Sequence, residues 1–192
     1  EDGYPAGDFK EAYDWIHKNF VHKTVHAGEA YGAESIFQAI TDLHADRLGH
    51  AYYLFDTNKV QQKTITDKQA YIDKIVNYVA EKRVTVEVCL TSNMQTNPDI
   101  KDIKNHSFKK MLEKKISVSI CTDNRLVSNT SVSKEIKLAC DNFDLGIKEL
   151  KDIVTYGFKR SFQAGPYTEK RTYVRKMLNY FDEVLKKHHV NI

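Results

Sequence analysis

Residues 83–89 read Arg83-Val84-Thr85-Val86-Glu87-Val88-Cys89, a run rich in β-branched residues that predicts a buried β-strand. Three other short stretches are also predicted as strands: Lys23–Ala27, Arg47–Ala51 and Ile116–Thr122. Apolar residues at helical spacing predict helices around residues 36–43, 72–79, 108–112, 131–143, 147–162 and 168–188. The polar stretch 91–105, which contains Pro98, is predicted to be a loop. Repeated alternation of strand and helix predicts parallel βαβ units, so we expect an α/β fold.

The composition is that of one globular domain. The chain has 192 residues and a net charge of +3, and 41% of its residues are hydrophobic, which disfavours intrinsic disorder. No apolar run approaches the roughly 18 residues that a membrane span needs, and the first ten residues do not resemble a signal peptide. Cys89, Cys121 and Cys140 are an odd and widely spaced set. We therefore expect no disulfide framework, a reducing cytoplasmic location and no membrane partner.

The positive charge is concentrated in residues 167–192, and two interpretations of this segment compete. It could bind nucleic acid, or it could be the solvated face of an amphipathic helix. The second is favoured because apolar residues recur at helical spacing (Val174, Met177, Leu178, Phe181 and Leu185). No RNA-binding signature accompanies the charge. We therefore expect no nucleic-acid partner.

Polar side chains follow the C-terminal ends of all four predicted strands. These are His26 with Glu29, then His50, then Ser92-Asn93, and finally Asp123-Asn124. In a parallel α/β barrel such strand ends meet on one face, where active sites lie. Each group also has a simpler explanation, because a single histidine is often structural and Asp-Asn is common in turns. These residues alone indicate an α/β enzyme with a possible metal.

Five local motifs are more specific than this positional pattern. Thr24–Glu29 reads TVHAGE and Arg47–His50 reads RLGH; these resemble the histidine–glutamate signature and the R-I-G-H segment of the adenosine deaminase family. Glu87–Asn93 resembles the family's E-x-C-P-x-S-N segment, and residues 106–108 resemble its H-P-hydrophobic segment. Residues 119–124 resemble the final strand, which usually reads T-D-D-P. All five occur in family order, and the resemblance extends from about residue 3 to about residue 162.

The resemblance implies an eight-stranded TIM (β/α)8 barrel that binds one Zn²⁺ per complete active site and converts adenosine to inosine and ammonia. His26 and Asp123 would be zinc ligands, since imidazole nitrogen and carboxylate oxygen suit this metal. His50 would orient the attacking water and help to take its proton. Glu29 would donate a proton to purine N1. Asn124 would hold the substrate, a small purine nucleoside, through N7.

Two departures from the family pattern matter. Asn124 and Arg125 stand where the family usually has aspartate and proline, although an Asn amide can donate to purine N7 directly. The family's H-x-H pair, which supplies two further zinc ligands, is absent from this sequence. We therefore expect residues 1–192 to be the C-terminal half of a barrel, about four β/α units with closing helices. Such a half would have open strand edges and an apolar interior, and would be inactive alone, paired with the missing half or self-associated.

Other functions remain open on this evidence. Adenine or AMP deamination uses the same chemistry as the deamination of adenosine or 2′-deoxyadenosine. A different class of function is a non-catalytic protein that uses a deaminase scaffold for binding or dimerisation. Retention of His26, Glu29, His50 and Asp123 together favours the enzyme.

Overall fold

The computed structural model describes residues 2–190, in which four short strands alternate with helices. The strands are β1 (Thr24–Ala27), β2 (Arg47–His50), β3 (Thr85–Val88) and β4 (Val118–Ile120). The helices are α1 (Lys10–Lys18), α2 (Ala33–Thr41), α3 (Lys68–Lys82), α4 (Leu90–Thr96), α5 (Phe108–Glu113), α6 (Val132–Asn142), α7 (Ile147–Lys159) and α8 (Tyr167–Lys187). All four predicted strands are present, each slightly shorter than the stretch predicted for it.

The strands form one parallel sheet in the order β1-β2-β3-β4. Each strand pairs with the next along the chain, as expected when helices connect neighbouring parallel strands. One face of the sheet is apolar and buried, and it packs in the same core as residues of α2, α3 and α5. Its strand residues are Val25, Ala27, Leu48, Val86, Val88, Val118 and Ile120. The predicted parallel α/β architecture is confirmed.

The opposite face of the sheet is polar, which corrects the expectation of an apolar interior. Arg47 Nε lies 2.9 Å from Glu87 Oε1, and the hydroxyl of Thr24 donates to Glu87 Oε2 at 2.6 Å. These three residues come from neighbouring strands, so the ion pair links β1, β2 and β3. The strands therefore present hydrogen-bonding groups, rather than aliphatic side chains, on the face turned away from α2, α3 and α5.

The segment after α7 covers this polar face at the N-terminal ends of β1 and β2. The guanidinium carbon of Arg47 lies 3.7 Å from the centroid of the Phe162 ring, and Arg47 Nη1 donates to the carbonyl of Arg160 at 3.2 Å. The same aromatic ring stacks on His22, just before β1. Residues 160–162 thus contact both of the first two strands near their N-terminal ends.

Helix α4 corrects the prediction that residues 91–105 form a loop. Four of its seven residues (Thr91, Ser92, Asn93 and Thr96) have weak intrinsic helix propensity, and so short a segment gives little helical signal. The helix is held by tertiary contacts instead, since its first turn donates from Thr91 N to Glu135 at 3.0 Å. At its other end, the hydroxyl of Tyr53 donates to Asn97 Oδ1 at 2.9 Å.

The basic C-terminal segment forms helix α8, as the periodicity predicts. This helix packs against α7 and buries Val174, while the other residues of its apolar stripe are half-buried. Its length does not make it a membrane helix: among residues 2–190, no helix combines the length and the apolar character that a bilayer span requires.

Candidate active site

The C-terminal ends of β1 and β2 bring His26, Glu29 and His50 together. Their potential ligand atoms all lie within 4.8 Å of one another. Glu29 Oε2 is 3.3 Å from His50 Nε2 and 3.8 Å from His26 Nδ1. His50 is buried, with 1% of its surface exposed, whereas the His26 side chain is 51% exposed. One carboxylate therefore faces two imidazoles, one anchored in the core and one open to a ligand.

Gly49 has no side chain, which leaves space for the His26 ring to lie against the sheet. His26 and Gly49 are register partners in the β1–β2 ladder. A Cβ atom at position 49 would lie 2.9 Å from His26 Cδ2, which is closer than carbon atoms pack. The ring also meets His50 edge-on, with centroids 4.8 Å apart. The glycine of the RLGH motif thus allows two histidines from adjacent strands to approach each other.

The backbone is left-handed where these strands end. His50 has φ +65° and Ala51 has φ +48°, and Asp123, after β4, has φ +54°. Most non-glycine residues avoid this region, and such strain often accompanies functional sites. The loop after β2 is fastened to the loop after β1, because Tyr53 N donates to the carbonyl of Gly28 at 2.7 Å. The sharp turns at His50 and Asp123 are therefore over-determined by the surrounding structure.

Asp123 lies near this cluster but outside the group of three. Its Oδ2 accepts a hydrogen bond from the hydroxyl of Ser92 at 2.7 Å. This contact joins the ends of β3 and β4. The Asp123 carboxylate is thus oriented by a neighbouring strand end and does not cap its own turn.

Asn124 combines turn formation with a free donor. Its Oδ1 accepts from the backbone of Val127 at 3.2 Å, and the Ser128 N–H donates to the Asn124 carbonyl at 2.9 Å. The side-chain oxygen is therefore engaged in the turn, while Nδ2 remains available as a donor. The two interpretations of this residue, turn former and substrate contact, are compatible.

His50 is supported from behind by two further buried residues. Its Nδ1 lies 3.2 Å from Asn93 Nδ2, and Asn93 Oδ1 lies 3.2 Å from His106 Nε2. Burial lowers the pKa of His50, an effect that the Glu29 carboxylate opposes. Burial lowers the pKa of His106 to about 4. The sequence motifs contained Asn93 and His106 but indicated no contact between them.

Glu135 is a structural member of the site that the sequence did not reveal. Its carboxylate is 1% exposed and accepts from the backbone N–H and the hydroxyl of Thr91, and from the hydroxyl of Thr130 at 2.6 Å. It thereby ties α4, which carries Ser92 and Asn93, to the loop that follows Asp123. Nothing in the pattern of α6 distinguishes this glutamate from a surface one.

The adenosine deaminase family model matches residues 1–179. The adenosine deaminase of Clostridium acetobutylicum is 36% identical over 162 residues, covering 84% of this chain and 44% of that protein. The chain belongs to the adenosine deaminase family. It spans about half the length of the curated relatives it matches.

Solved structures show the same fold. An adenine deaminase from Arthrobacter aurescens superposes with a TM-score of 0.76 at 19% identity, over 97% of this chain and 50% of that one. A Burkholderia ambifaria amidohydrolase with bound Zn superposes with a TM-score of 0.72 at 21% identity, over 95% of this chain and 47% of that one. The four-stranded parallel sheet therefore has the fold of about half of each of these chains, in agreement with the partial (β/α) barrel that the motifs implied.

The donor types in this member of the adenosine deaminase family fit zinc. His26 offers an accessible imidazole, and Asp123 offers a carboxylate whose orientation is fixed by Ser92. Zinc takes ligands of both kinds, and ligating carboxylates are commonly held by an outer hydrogen bond of this sort. Two such residues do not complete a tetrahedral set.

A cleft of about 960 Å³ opens beside Glu29. Its charged lining residues are five acids and one base: Asp2, Glu29, Glu34, Asp42, Asp99 and Lys59. The single ammonium group, that of Lys59, already makes a cation–π contact, because its Nζ lies 4.2 Å from the centroid of the Tyr53 ring. The cleft is accordingly better suited to a neutral or cationic ligand than to an anion.

Proposed function

We propose that this chain supplies the C-terminal half of the active site of a zinc-dependent deaminase. The reaction would be hydrolytic deamination of adenosine and 2′-deoxyadenosine to inosine or 2′-deoxyinosine plus ammonia. The observation that carries this proposal is the meeting of His26, Glu29 and His50 at adjacent strand ends. Three side chains that can bind metal, donate protons and accept them are there within reach of one small ligand.

His26 and Asp123 would hold the metal, with the remaining ligands supplied from outside these 192 residues. A bound Zn²⁺ would act as a Lewis acid that lowers the pKa of water toward neutrality. The Burkholderia protein of the same fold contains bound Zn, which supports the choice of zinc as the metal. Residues 1–192 would then contribute half of the ligands, and the isolated chain would be inactive.

Glu29, His50 and Asn124 would act on the substrate and the attacking water. Glu29, in its protonated form, would donate to purine N1 while water adds at C6, so that the ring accepts the electron pair without forming an anion. His50 would orient the water from its buried position beside Glu29. Asn124 would donate from Nδ2 to purine N7, because its Oδ1 is already bonded to the Val127 amide. The proton released by the attacking water passes to the amino group at C6, so that ammonia leaves as the C–N bond breaks. The proton of the C6 hydroxyl returns to the Glu29 carboxylate as the carbonyl of the product forms.

The choice of adenosine as substrate is supported by the curated relatives. The matched proteins of Clostridium acetobutylicum and Mycolicibacterium vanbaalenii, 36% and 32% identical to this chain, are adenosine deaminases. The cleft contributes only through Glu29, because His26, His50, Asp123 and Asn124 do not line it; its five carboxylates would disfavour a phosphate placed beside Glu29. AMP and adenine are the rivals, since an Arabidopsis N6-methyl-AMP deaminase and an adenine deaminase share the fold.

The test compares the 192-residue chain with the full-length product of the gene that encodes it, both purified with Zn²⁺. Ammonia release is measured separately with adenosine, 2′-deoxyadenosine, adenine and AMP. We expect the full-length product to turn over the two nucleosides and the 192-residue chain to be inactive. Strong turnover by the chain alone would overturn the ligand count. Absence of turnover with all four purines, in zinc-loaded protein, would favour a non-catalytic binding protein.

A substitution separates the roles of Glu29 and the metal ligands. Glu29→Gln should abolish turnover in the full-length product while zinc content stays unchanged, since the amide cannot supply the proton. Glu113→Gln, on the exposed end of α5, is the matched control and should behave like the unaltered protein. Loss of zinc in Glu29→Gln would instead make Glu29 a ligand and refute its assignment as proton donor.

A further inference from the structure

A chain of buried hydrogen bonds runs from the backbone of α5 to His50, which lies beside Glu29. Phe108 N–H donates to His106 Nδ1 at 3.0 Å, and His106 Nε2 lies 3.2 Å from Asn93 Oδ1. Asn93 Nδ2 then lies 3.2 Å from His50 Nδ1, and His50 Nε2 lies 3.3 Å from Glu29 Oε2. The three linked side chains are each no more than 2% exposed. Water therefore has little access to replace any of these partners.

The first link determines the protonation of His106. A backbone N–H can only donate a hydrogen bond, so the Nδ1 atom that receives it carries no proton. Burial holds the pKa of His106 at about 4, which keeps the ring neutral at neutral pH. A neutral imidazole has one N–H, and in His106 that proton is on Nε2.

The next two hydrogen bonds determine which ring nitrogen of His50 is protonated. His106 Nε2–H needs an acceptor, and the only acceptor on the Asn93 side chain is Oδ1. This requirement fixes the orientation of the Asn93 amide, because the reverse orientation would place its NH2 group against the Nε2–H of His106. The Asn93 NH2 group faces His50 Nδ1, which must accept. The proton of neutral His50 is consequently on Nε2, the atom that lies 3.3 Å from Glu29 Oε2.

We infer that Asn93 and His106 are positioning residues, which hold His50 in its Nε2-protonated tautomer through a relay anchored on the Phe108 amide. The N–H of His50 is therefore on the ring nitrogen nearest Glu29, 3.3 Å from its Oε2. The consequence for catalysis rests on the proposed function: a resting His50 of this tautomer orients Glu29 and water by donating. It cannot take a proton at Nε2, so it does not serve as the general base at that atom.

The tautomers can be measured directly in the 192-residue chain. The chain is labelled with ¹⁵N-histidine, and long-range ¹H–¹⁵N correlation spectra at neutral pH report which nitrogen of each ring is protonated. Spectra of His50→Gln and His106→Gln identify the two rings among the eight histidines. We expect unprotonated Nδ1 and protonated Nε2 in both. A proton on Nδ1 of either ring would overturn the relay. If either variant fails to fold, through-bond correlations from the backbone to the ring nitrogens assign the two rings in the unaltered chain.

A variant tests whether Asn93 transmits the choice. In Asn93→Asp an acceptor replaces the NH2 group that faces His50, so His50 should acquire a proton on Nδ1 while His106 keeps its tautomer. Asn97→Asp is the matched control one turn later, where the side chain contacts the hydroxyl of Tyr53 and no histidine. It should leave both rings unchanged. An unaltered His50 in Asn93→Asp, or the same change in both variants, would refute the transmission.

The same variant in the full-length product separates the relay from the proposed function. Asn93→Asp should lower kcat/KM by about 10–100-fold with zinc retained, the usual effect of losing an outer hydrogen-bonding partner. If the unaltered full-length product fails to deaminate any purine while the tautomers are as inferred, the proposed function fails and the relay stands. If it deaminates adenosine while His50 is protonated on Nδ1, the relay fails and the proposed function stands.

Discussion

Replacement of Glu135 should destabilise the fold more than replacement of any exposed glutamate. The carboxylate is buried and accepts three hydrogen bonds, from the Thr91 backbone and from the hydroxyls of Thr91 and Thr130. A hydrogen bond to a charged group contributes about 1.5–3 kcal/mol, but such contributions are not additive, and the hydroxyls can turn toward water. We therefore expect Glu135→Ala to lower the free energy of unfolding by about 4 kcal/mol.

Glu135→Gln should cost far less, on the order of 1 kcal/mol. The amide oxygen can accept from Thr91 N while the NH2 group donates to the two hydroxyls, so only the charge is lost. Urea unfolding followed by circular dichroism measures both variants. Glu149→Ala is the control, because it removes an exposed glutamate from the first turn of α7. Equal effects of Glu135→Ala and Glu149→Ala would refute the argument that Glu135 ties α4 to the loop after Asp123.

Three further outcomes are expected. Gly49→Ala should displace the His26 ring, since the new Cβ would lie 2.9 Å from it. In a zinc titration this variant should bind the metal more weakly, with little loss of stability. Gly157→Ala, whose new Cβ would come equally close to a serine, is the control and should bind zinc unchanged. The pKa of His106 falls from 6.5 to about 4 on folding, so the unfolded chain binds the proton first as the pH drops. The contribution of His106 to the free energy of unfolding is therefore complete above pH 6.5 and is lost toward pH 4, a change of about 3 kcal/mol. The free energy of unfolding of His106→Gln, measured with urea across this range, should lack this dependence on pH. Burial also raises the pKa of the Cys89 thiol, so native protein should resist alkylation at this residue until it unfolds, as peptide mapping by mass spectrometry would report.

The sheet could be predicted from the sequence because its signals are local. The β-branched runs of β3 and β4 identify strands without any knowledge of their partners, and the motif order fixed which strand ends meet. His26, Glu29 and His50 were found on this basis, since parallel strands place their C-terminal ends together. Gly49 was quoted within its motif, but its contact with the His26 ring depends on the β1–β2 register and is visible only in the structure.

Helix α4 and Glu135 could not be predicted for one shared reason. Residues 91–96 have little helical propensity of their own, and a carboxylate 44 positions away in sequence holds their first turn. Pattern analysis treats a glutamate in an amphipathic helix as solvent-facing, because most are. The sequence also did not predict the polar face of the sheet, where Arg47 pairs with Glu87. Charged residues inside a barrel differ from surface residues only in the partners that they contact.

The contact between Arg47 and the carbonyl of Arg160 has a consequence for how the protein is made. The two residues are 113 positions apart, and chains grow at about 5–20 residues per second, so Arg47 leaves the ribosome roughly 6–20 s before its partner is synthesised. During that interval β1, β2 and β3 can pair, but the Phe162 ring is not yet there to cover the guanidinium. The nascent sheet therefore keeps the Arg47–Glu87 ion pair uncovered until the final helices emerge.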